Sequence, residues 1–563
     1  MTSRKVETKD KELNAPDEKQ AKEILKEQSD RMEAEITKIQ AMNQGRSAKV
    51  FKMREIVTGK RKSKQEAHAI KDDETNELVV SNEGIKKVSL KYCLNVLKNN
   101  EPDEAFKEFK ELKEKVHNLR MEDKHEEEDI DISEEEFFCV LCRFEAKKSP
   151  MYNFIMNTGL KFRLAILKLC KKFIRKEEFP KSFDITTLIQ IPKKGSQLYL
   201  ENSRFIHMKH WLPRLVEALT VSKMKEDILK ASSKFQIGGR PGQRTQFHLF
   251  VVKSLIALRK AEGEGCILTL VDISKFFDKQ SLIDAMNTLA KANINKKCYR
   301  VWYRLNENTT IQVKTGAGLS ARGLAGPVTG QGGGGAALAS SLNLDKGLDT
   351  YFRGSKDEEC YGRIKLQPLC YVDDVIRGAQ DANCLRAGCI KLDFVLKEKQ
   401  LEAHPTKSGF LVTGSERFKA KVQQDVKDKP VLLGDIVMKE MMTESYLGDK
   451  LNSEGLRSSI EETIKDRRGK AKGSIYELRA LVEDFRMQAV GGMRAGIDLY
   501  ESCIVSSLLT NAGTWTEITE QEIKQLDELQ NTLCRALLQV PLSTPKPSLR
   551  AAFGLVSMKY RVM

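Results

Sequence analysis

The chain has 563 residues, 40% of them hydrophobic and 31% charged, so it can bury sizeable cores and is not disordered throughout. Its 95 Lys and Arg against 79 Asp and Glu leave a net charge of +16, which points to a polyanionic partner, either nucleic acid or an anionic membrane surface. No apolar run approaches the roughly 20 residues of a membrane span, and the charged N-terminus MTSRKVETKDKEL lacks the apolar segment of a secretory signal.

Residues 1–132 are dense in Lys and Glu and read as a charged extension, mostly helical or partly disordered. Within it, Lys60-Arg61-Lys62 reads as a nuclear address, a phosphate contact or a solvated helix face. The acidic run from Glu126 to Asp129 reads as a solvated linker. The 12 cysteines form no framework, as expected of reduced thiols in a nuclear or cytoplasmic protein. Cys139 and Cys142 have ligand spacing but no second pair to complete a structural zinc site, and FFCVLCRF reads instead as helix core. Ser133 followed by Glu136 predicts a capping box that opens this helix. LKFRLAILKLCKKFIRK (160–176) predicts a long basic amphipathic helix, and TTLIQI (186–191) a strand broken by Pro192.

Between 266 and 414 the order of elements is informative. CILTLVDI is a β-run ending in an acid, LIDAMNTLAKA a helix, TTIQVKT a strand and GGGGAALASSLNLDKGL a helix. IKLQPLCYVDDVIRGA alternates as two strands around a two-Asp turn, CIKLDFVLKEKQL is a helix and GFLVTG a strand. The run predicts an α+β sheet with helices on one face. Beyond residue 455 the pattern is helical again, with Pro541, Pro545 and Pro547 near the end.

Nucleotidyl transfer uses two divalent cations about 3.5–4 Å apart, one at the attacking oxygen and one at the leaving phosphates. Hard cations take carboxylate oxygens, so the chemistry needs acids from separate segments converging on a rigid sheet edge. Tyr371-Val372-Asp373-Asp374 supplies a pair at a predicted hairpin turn, and Val271-Asp272 supplies a third at the end of a predicted strand.

Taken in order from about residue 133 to 555, these segments resemble a reverse transcriptase of the non-LTR retrotransposon (LINE-like) group. The resemblance implies an α+β right-hand polymerase. It places fingers and palm over 133–440, with an antiparallel palm sheet carrying the catalytic acids, and primer grip and helical thumb over 441–563. LVDISKFFD (270–278) resembles the first palm motif, which makes Asp272 a metal ligand and Phe277 the ring that discriminates against a ribose 2′-hydroxyl. LCYVDD (369–374) matches the catalytic hairpin, with Tyr371 at the substrate and Asp373 and Asp374 as metal-binding acids. The expected cofactor is two Mg²⁺ ions, with Mn²⁺ as a substitute. PTKSGFLVTG (405–414) resembles the following motif, whose lysine, here Lys407, is a general acid for the pyrophosphate leaving group.

IPKKGSQLYLENSRFI (191–206) resembles a fingers segment, which makes Lys193, Lys194 and Arg204 contacts for the triphosphate. Here Ser203 and Phe205 replace the family's usual Tyr and Pro without removing a cation. FQIGGRPGQRT (235–245) resembles the template-side motif, and ESYLGDKL (444–451) the primer grip. GPVTGQGGGGAALASSLNLD (326–345) keeps Gln331 and Gly332 of the second palm motif but has glycines and alanines where the family has Ser-Pro-Leu-Ser, which bears on nucleotide positioning. A dinucleotide site at its G-x-G-x-x-G (Gly330 to Gly335) is rejected, because no hydrophobic strand precedes it.

The expected activity is RNA-directed DNA synthesis, with an RNA template, a DNA primer and dNTPs as partners and no membrane. The alternative is a retroelement-derived nucleic-acid-binding protein that is catalytically weak or inactive. An intron maturase would need a further region after the thumb, and none is found. No endonuclease, RNase H or cysteine/histidine knuckle segment is found either, so target-primed integration is not claimed.

Overall fold

The computed structural model describes residues 69–98, 104–122, 130–144, 150–193, 196–352, 360–361, 364–484 and 496–562. Lys60-Arg61-Lys62, the acidic run and Lys194 lie outside the described residues. The chain divides into two compact units: a larger one of residues 64–463 and 511–518, and a smaller one that includes 464–510 and 519–563.

The helices of the larger unit include α1 (Asn82–Val96), α2 (Glu134–Arg143) and α3 (Leu160–Lys176). The first strands are β1 (Ile185–Pro192) and β2 (Ser203–Lys209). Helix α4 (Thr245–Ala261) leads into β3 (Cys266–Asp272), then α5 (Leu282–Lys291) and β4 (Thr310–Thr315). Helix α6 (Ala336–Phe352) precedes the hairpin β5 (Leu369–Tyr371) and β6 (Asp374–Ala379). Helix α7 (Ala382–Glu398), β7 (Gly409–Thr413), β8 (Lys439–Glu440) and a second hairpin, β9 (Thr443–Tyr446) and β10 (Asp449–Asn452), come after them.

The capping box forms as the sequence predicts: the Ser133 hydroxyl accepts from the Glu136 N–H, and the Glu136 carboxylate accepts from the Ser133 N–H. Cys139 and Cys142, however, are exposed on α2. The core face of that helix belongs to Phe137, Val140 and Leu141, so the cysteines point away from the core they were expected to join.

In the first sheet β1 pairs antiparallel with β2 and parallel with β4. Helix α1 lays Ile85 and Cys93 on it, against Leu188, Phe205, Ile311 and Val313. The second sheet runs in the order β5-β6-β3-β7-β8, antiparallel except for the β7–β8 pair. Its central strand β3 is buried from Cys266 to Val271. Alternate side chains go to opposite faces of a strand, so an unbroken apolar run means a sheet covered on both sides. Ile267, Val271, Val375 and Phe410 meet Leu344 and Leu348 of α6 and Leu385, Leu392 and Val395 of α7. Cys266, Leu268, Leu270 and Leu411 meet Leu249, Val252 and Ile256 of α4 and the side chains of Tyr446 and Leu451. Helices therefore flank this sheet on both faces, where the sequence pattern predicted one.

The regular elements among the described residues of the smaller unit are helices. Helix α8 (Glu520–Leu538) opens on a second capping box, Thr519 with Glu522, and buries Leu526, Leu533 and Leu537. The Arg561 guanidinium pairs both its terminal nitrogens with Glu501 at 2.6 and 2.7 Å.

Candidate active site

The sheet brings the three acids together. In the β6–β3 pair, Asp374 stands directly opposite Asp272, and Tyr371 stands opposite Asp374 across the hairpin. Side chains facing each other in an antiparallel pair have Cβ atoms about 4.5–5.5 Å apart, and like charges in that position repel. The loop joining β5 to β6 is Val372-Asp373, so the turn is displaced by one residue from the two-Asp turn the sequence predicted. Asp374 is already a strand residue, and its pairing with Asp272 is what puts it there.

Two of these acids hold their protons more tightly than an ordinary aspartate. Burial raises the Asp373 carboxyl, with the Asp272 charge adding to it and Arg204 and Lys407 opposing. Burial, followed by the charges of Asp373 and Asp272, pushes Asp374 up to about 6. Arg204, exposed on β2, and Lys407 thus lie within electrostatic reach of the hairpin. Lys407 Nζ also donates to Asp272 Oδ2 at 3.1 Å. Lys193 is shifted below the ordinary lysine range by partial burial and by the cations Arg204, Lys407 and Lys275 around it.

The loop after β3 carries the remaining predicted residues. Lys275 takes a left-handed φ of 49°, turning the chain into the short helix Phe276–Lys279. Phe277 is half-buried, and its carbonyl accepts from the Gly330 N–H at 3.0 Å and the Thr329 hydroxyl at 2.9 Å. The Gln331 N–H donates to Asp278 Oδ1 at 3.4 Å, and its carbonyl accepts from the His207 N–H at 2.8 Å. Phe277, Gln331 and Gly332 are therefore tied to one another through backbone, with Asp278 and His207 as braces that the sequence did not single out.

The glycines of this motif have geometric work. Gly330 has φ of 67°, and a Cβ there would stand 2.6 Å from the His207 ring. A Cβ on Gly335 would stand 2.4 Å from Trp302 Nε1. Trp302 is 1% exposed, so it has no room to yield.

The donor chemistry suits hard divalent cations: carboxylates on facing strands, with excess negative charge and the Lys407 ammonium resting against one of them. Among the described residues no three His, Cys, Asp or Glu side chains converge on one metal-sized point. The acids offer only part of a coordination shell, such as a hard divalent cation completes with waters and substrate oxygens.

A residue the sequence reading missed stands beneath the hairpin. Gln236, 1% exposed, accepts from the Val372 N–H at 3.0 Å and donates to the Val372 carbonyl at 3.3 Å. Its segment was read only as a motif, but the available signal was Val372 itself, a β-branched residue in a two-residue hairpin loop where glycine is usual.

Residues 191–448, a little under half of the chain, match the family described as Reverse transcriptase (RNA-dependent DNA polymerase). Every predicted site residue falls inside that stretch, which is a reverse transcriptase domain. Among solved structures, apo telomerase from Candida tropicalis is similar at 11% identity, covering 82% of this chain and 84% of that one with a TM-score of 0.36. Telomerase from Candida tropicalis in complex with a fragment of telomeric RNA is similar at 10% identity, covering 70% and 68%, with a TM-score of 0.37. No curated protein matches the chain. The fold is a reverse-transcriptase-type polymerase fold of mixed α/β content. No helix among the described residues is long and apolar enough to cross a membrane.

Proposed function

We propose that the chain is an RNA-directed DNA polymerase of the non-LTR retrotransposon type, extending a DNA primer on an RNA template with dNTPs. The observation that carries this is the pairing of Asp374 with Asp272 at the end of β3, with Asp373 beside them in the loop and cations around all three. Two bound divalent cations, Mg²⁺ in the first instance, would lower the barrier by activating the primer 3′-hydroxyl and neutralising charge on the phosphates.

The chain's own residues divide the remaining work. Asp272, Asp373 and Asp374 hold the cations, and their mutual repulsion is relieved when they do so. Lys193, Lys194 and Arg204 neutralise the triphosphate as the 3′-oxygen attacks the α-phosphate and the bond to the β-phosphate breaks. Lys407 exchanges its contact with Asp272 for the departing pyrophosphate and gives it a proton. The half-buried Phe277 ring lies under the sugar, where a 2′-hydroxyl would clash, and Tyr371, Gln331 and Gly332 line the nucleotide and template side.

The competing reading, a binding protein without turnover, drew its support from the glycine-rich second motif. That support is weakened by the packing of Gly330 against His207 and of Gly335 against Trp302, which gives these glycines places in a formed loop. The deciding experiment is primer extension on an annealed RNA template with Mg²⁺ and dNTPs, beside the Asp373→Ala/Asp374→Ala variant. Extension by the parent alone supports the polymerase. Equal duplex binding by both, with extension by neither, supports the binding protein.

A further inference from the structure

The loop that presents Asp373 and Asp374 is conformationally expensive. Val372 has φ of 62°, in the left-handed region, where a β-branched side chain crowds its own backbone. Such a residue persists only where its surroundings over-determine it. Here the hydrogen bonds to its backbone come from residues 235–238, which lie alongside β5, while its side chain packs against the core of the sheet. The Cys370 N–H donates to the Phe235 carbonyl at 2.9 Å, and the Ile237 N–H donates to the Cys370 carbonyl at 3.1 Å. Gln236 and Cys370 thus form a parallel bridge that extends the sheet past its edge.

From this ledge the Gln236 side chain reaches the turn. Its oxygen accepts from the N–H groups of Val372 at 3.0 Å and Gly238 at 3.1 Å, while its nitrogen donates to the Val372 carbonyl at 3.3 Å. Both backbone polar groups of the strained residue are therefore engaged by a single amide, itself 1% exposed. Gly238 closes the other side: a Cβ there would stand 2.5 Å from both Val372 N and Val372 Cγ2, so only glycine lets the ledge approach this closely.

We propose that Gln236 is a positioning residue for the polymerase reaction. It holds Val372 in the left-handed conformation and so fixes the direction in which Asp373 leaves the turn and Asp374 enters the strand. The proposal rests on the polymerase reading for its consequence, although the clamp itself can be observed without turnover. Gln236 touches neither substrate nor cation and acts wholly through the backbone of Val372. Without it the loop relaxes towards conformations ordinary for valine, and the acids lose their register with Asp272. A misplacement of that kind, about 1 Å, costs roughly a hundredfold in rate.

The test is a double-mutant cycle of Gln236→Leu, which keeps most of the side-chain volume, with Val372→Gly, which makes the left-handed turn natural without a clamp. For Gln236→Leu we expect kcat to fall roughly 10–100-fold while the dNTP KM and the duplex Kd stay within about threefold. Adding Val372→Gly should return at least about tenfold of the lost kcat, a rescue that a purely structural role of Gln236 would not produce. Amide hydrogen exchange over residues 369–374 should quicken in Gln236→Leu. An unchanged exchange rate or an unchanged kcat overturns the proposal, and so does a loss that Val372→Gly fails to mend. Should the parent protein itself not extend a primer, the polymerase reading fails, and the exchange measurement still decides whether Gln236 holds the turn.

Discussion

The carboxylate hairpin and the buried pair Lys253–Asp449 both place charge inside the larger unit, and they treat it in opposite ways. Lys253 on α4 donates to Asp449 Oδ2 at 2.6 Å and to the Thr514 hydroxyl at 2.9 Å. Asp449 accepts further from Trp515 Nε1 and Asn511 Nδ2, each at 3.3 Å, and its side chain is 0% exposed. A third cluster follows the same rule: Asp284 meets Lys113 at 2.9 Å, Lys399 at 3.7 Å and the Asn343 amide at 3.1 Å. At the hairpin, by contrast, Asp374 faces Asp272, and the lysine that answers them is 61% exposed. Where charge serves the fold it is neutralised on the spot. At the hairpin two acids face each other, and the cations nearest them, Lys407 and Arg204, are exposed.

Removing acids from each cluster breaks the comparison most sharply. Asp373→Ala/Asp374→Ala should slow primer extension by at least about a thousandfold, because Asp272 alone is then left of the three acids proposed to hold the cations. The same change should leave the melting temperature unchanged or higher, since it removes repulsion. Asp449→Ala should do the reverse. It strands the Lys253 ammonium in a dry site and should cost about 3–5 kcal/mol of stability, read by denaturant unfolding. If the hairpin variant is the one that melts early, the two clusters do not differ in the way described.

The sequence disclosed the frame of this arrangement and missed its braces. The longer strands and helices from Cys266 to Thr413 follow in the order that apolar periodicity predicts, because each element's core face is written into its own residues, although the helix Lys296–Arg304 was not read. The sheet was expected to be covered on one face only, although the unbroken apolar run of CILTLV already implied two. Asp272, Asp373, Asp374 and Lys407 were legible as a group through motifs at distant positions, and register brings them together. Gln236, Asp278 and His207 were not legible as braces. They act through long-range contacts to backbone atoms, and backbone contacts leave no pattern in side-chain identity.

Acidity offers a gentler way to sharpen the contrast. In the metal-free protein the folded-state pKa of Asp374 is raised to about 6, above its unfolded value of about 3.9. The folded state therefore binds this proton more tightly than the unfolded chain does. The resulting stability is complete below about pH 4 and is lost as pH rises through about 6. With partial solvent exposure allowed for, we expect a loss on the order of 1–2 kcal/mol, titrating jointly with Asp373. Thermal melting of the metal-free parent against Asp374→Asn between pH 4 and 7.5 reads it: the advantage of the parent should shrink across that range. Mg²⁺ added at pH 7.5 should restore stability to the parent more than to the variant. A constant difference across the range would mean that the hairpin carries no strained charge.

The smallest expected effect on stability concerns an ion pair that distance alone would class with the buried one. Lys407 meets Asp272 at 3.1 Å, nearly as close as Lys253 meets Asp449 at 2.6 Å. Exposure separates them, since a lysine in water gains little from a carboxylate that water would otherwise solvate. Lys407→Ala should therefore move stability by no more than about 0.5 kcal/mol, whereas Lys253→Ala should cost several times that. Turnover orders the two differently. If Lys407 delivers a proton to the leaving pyrophosphate, its loss should slow extension by about a hundredfold or more. Lys253→Ala should leave the rate per folded molecule nearly unchanged. A Lys407→Ala protein that extends primers at the parental rate would reduce that lysine to a counter-ion, and the burden of the leaving group would then fall on Lys193 and Arg204.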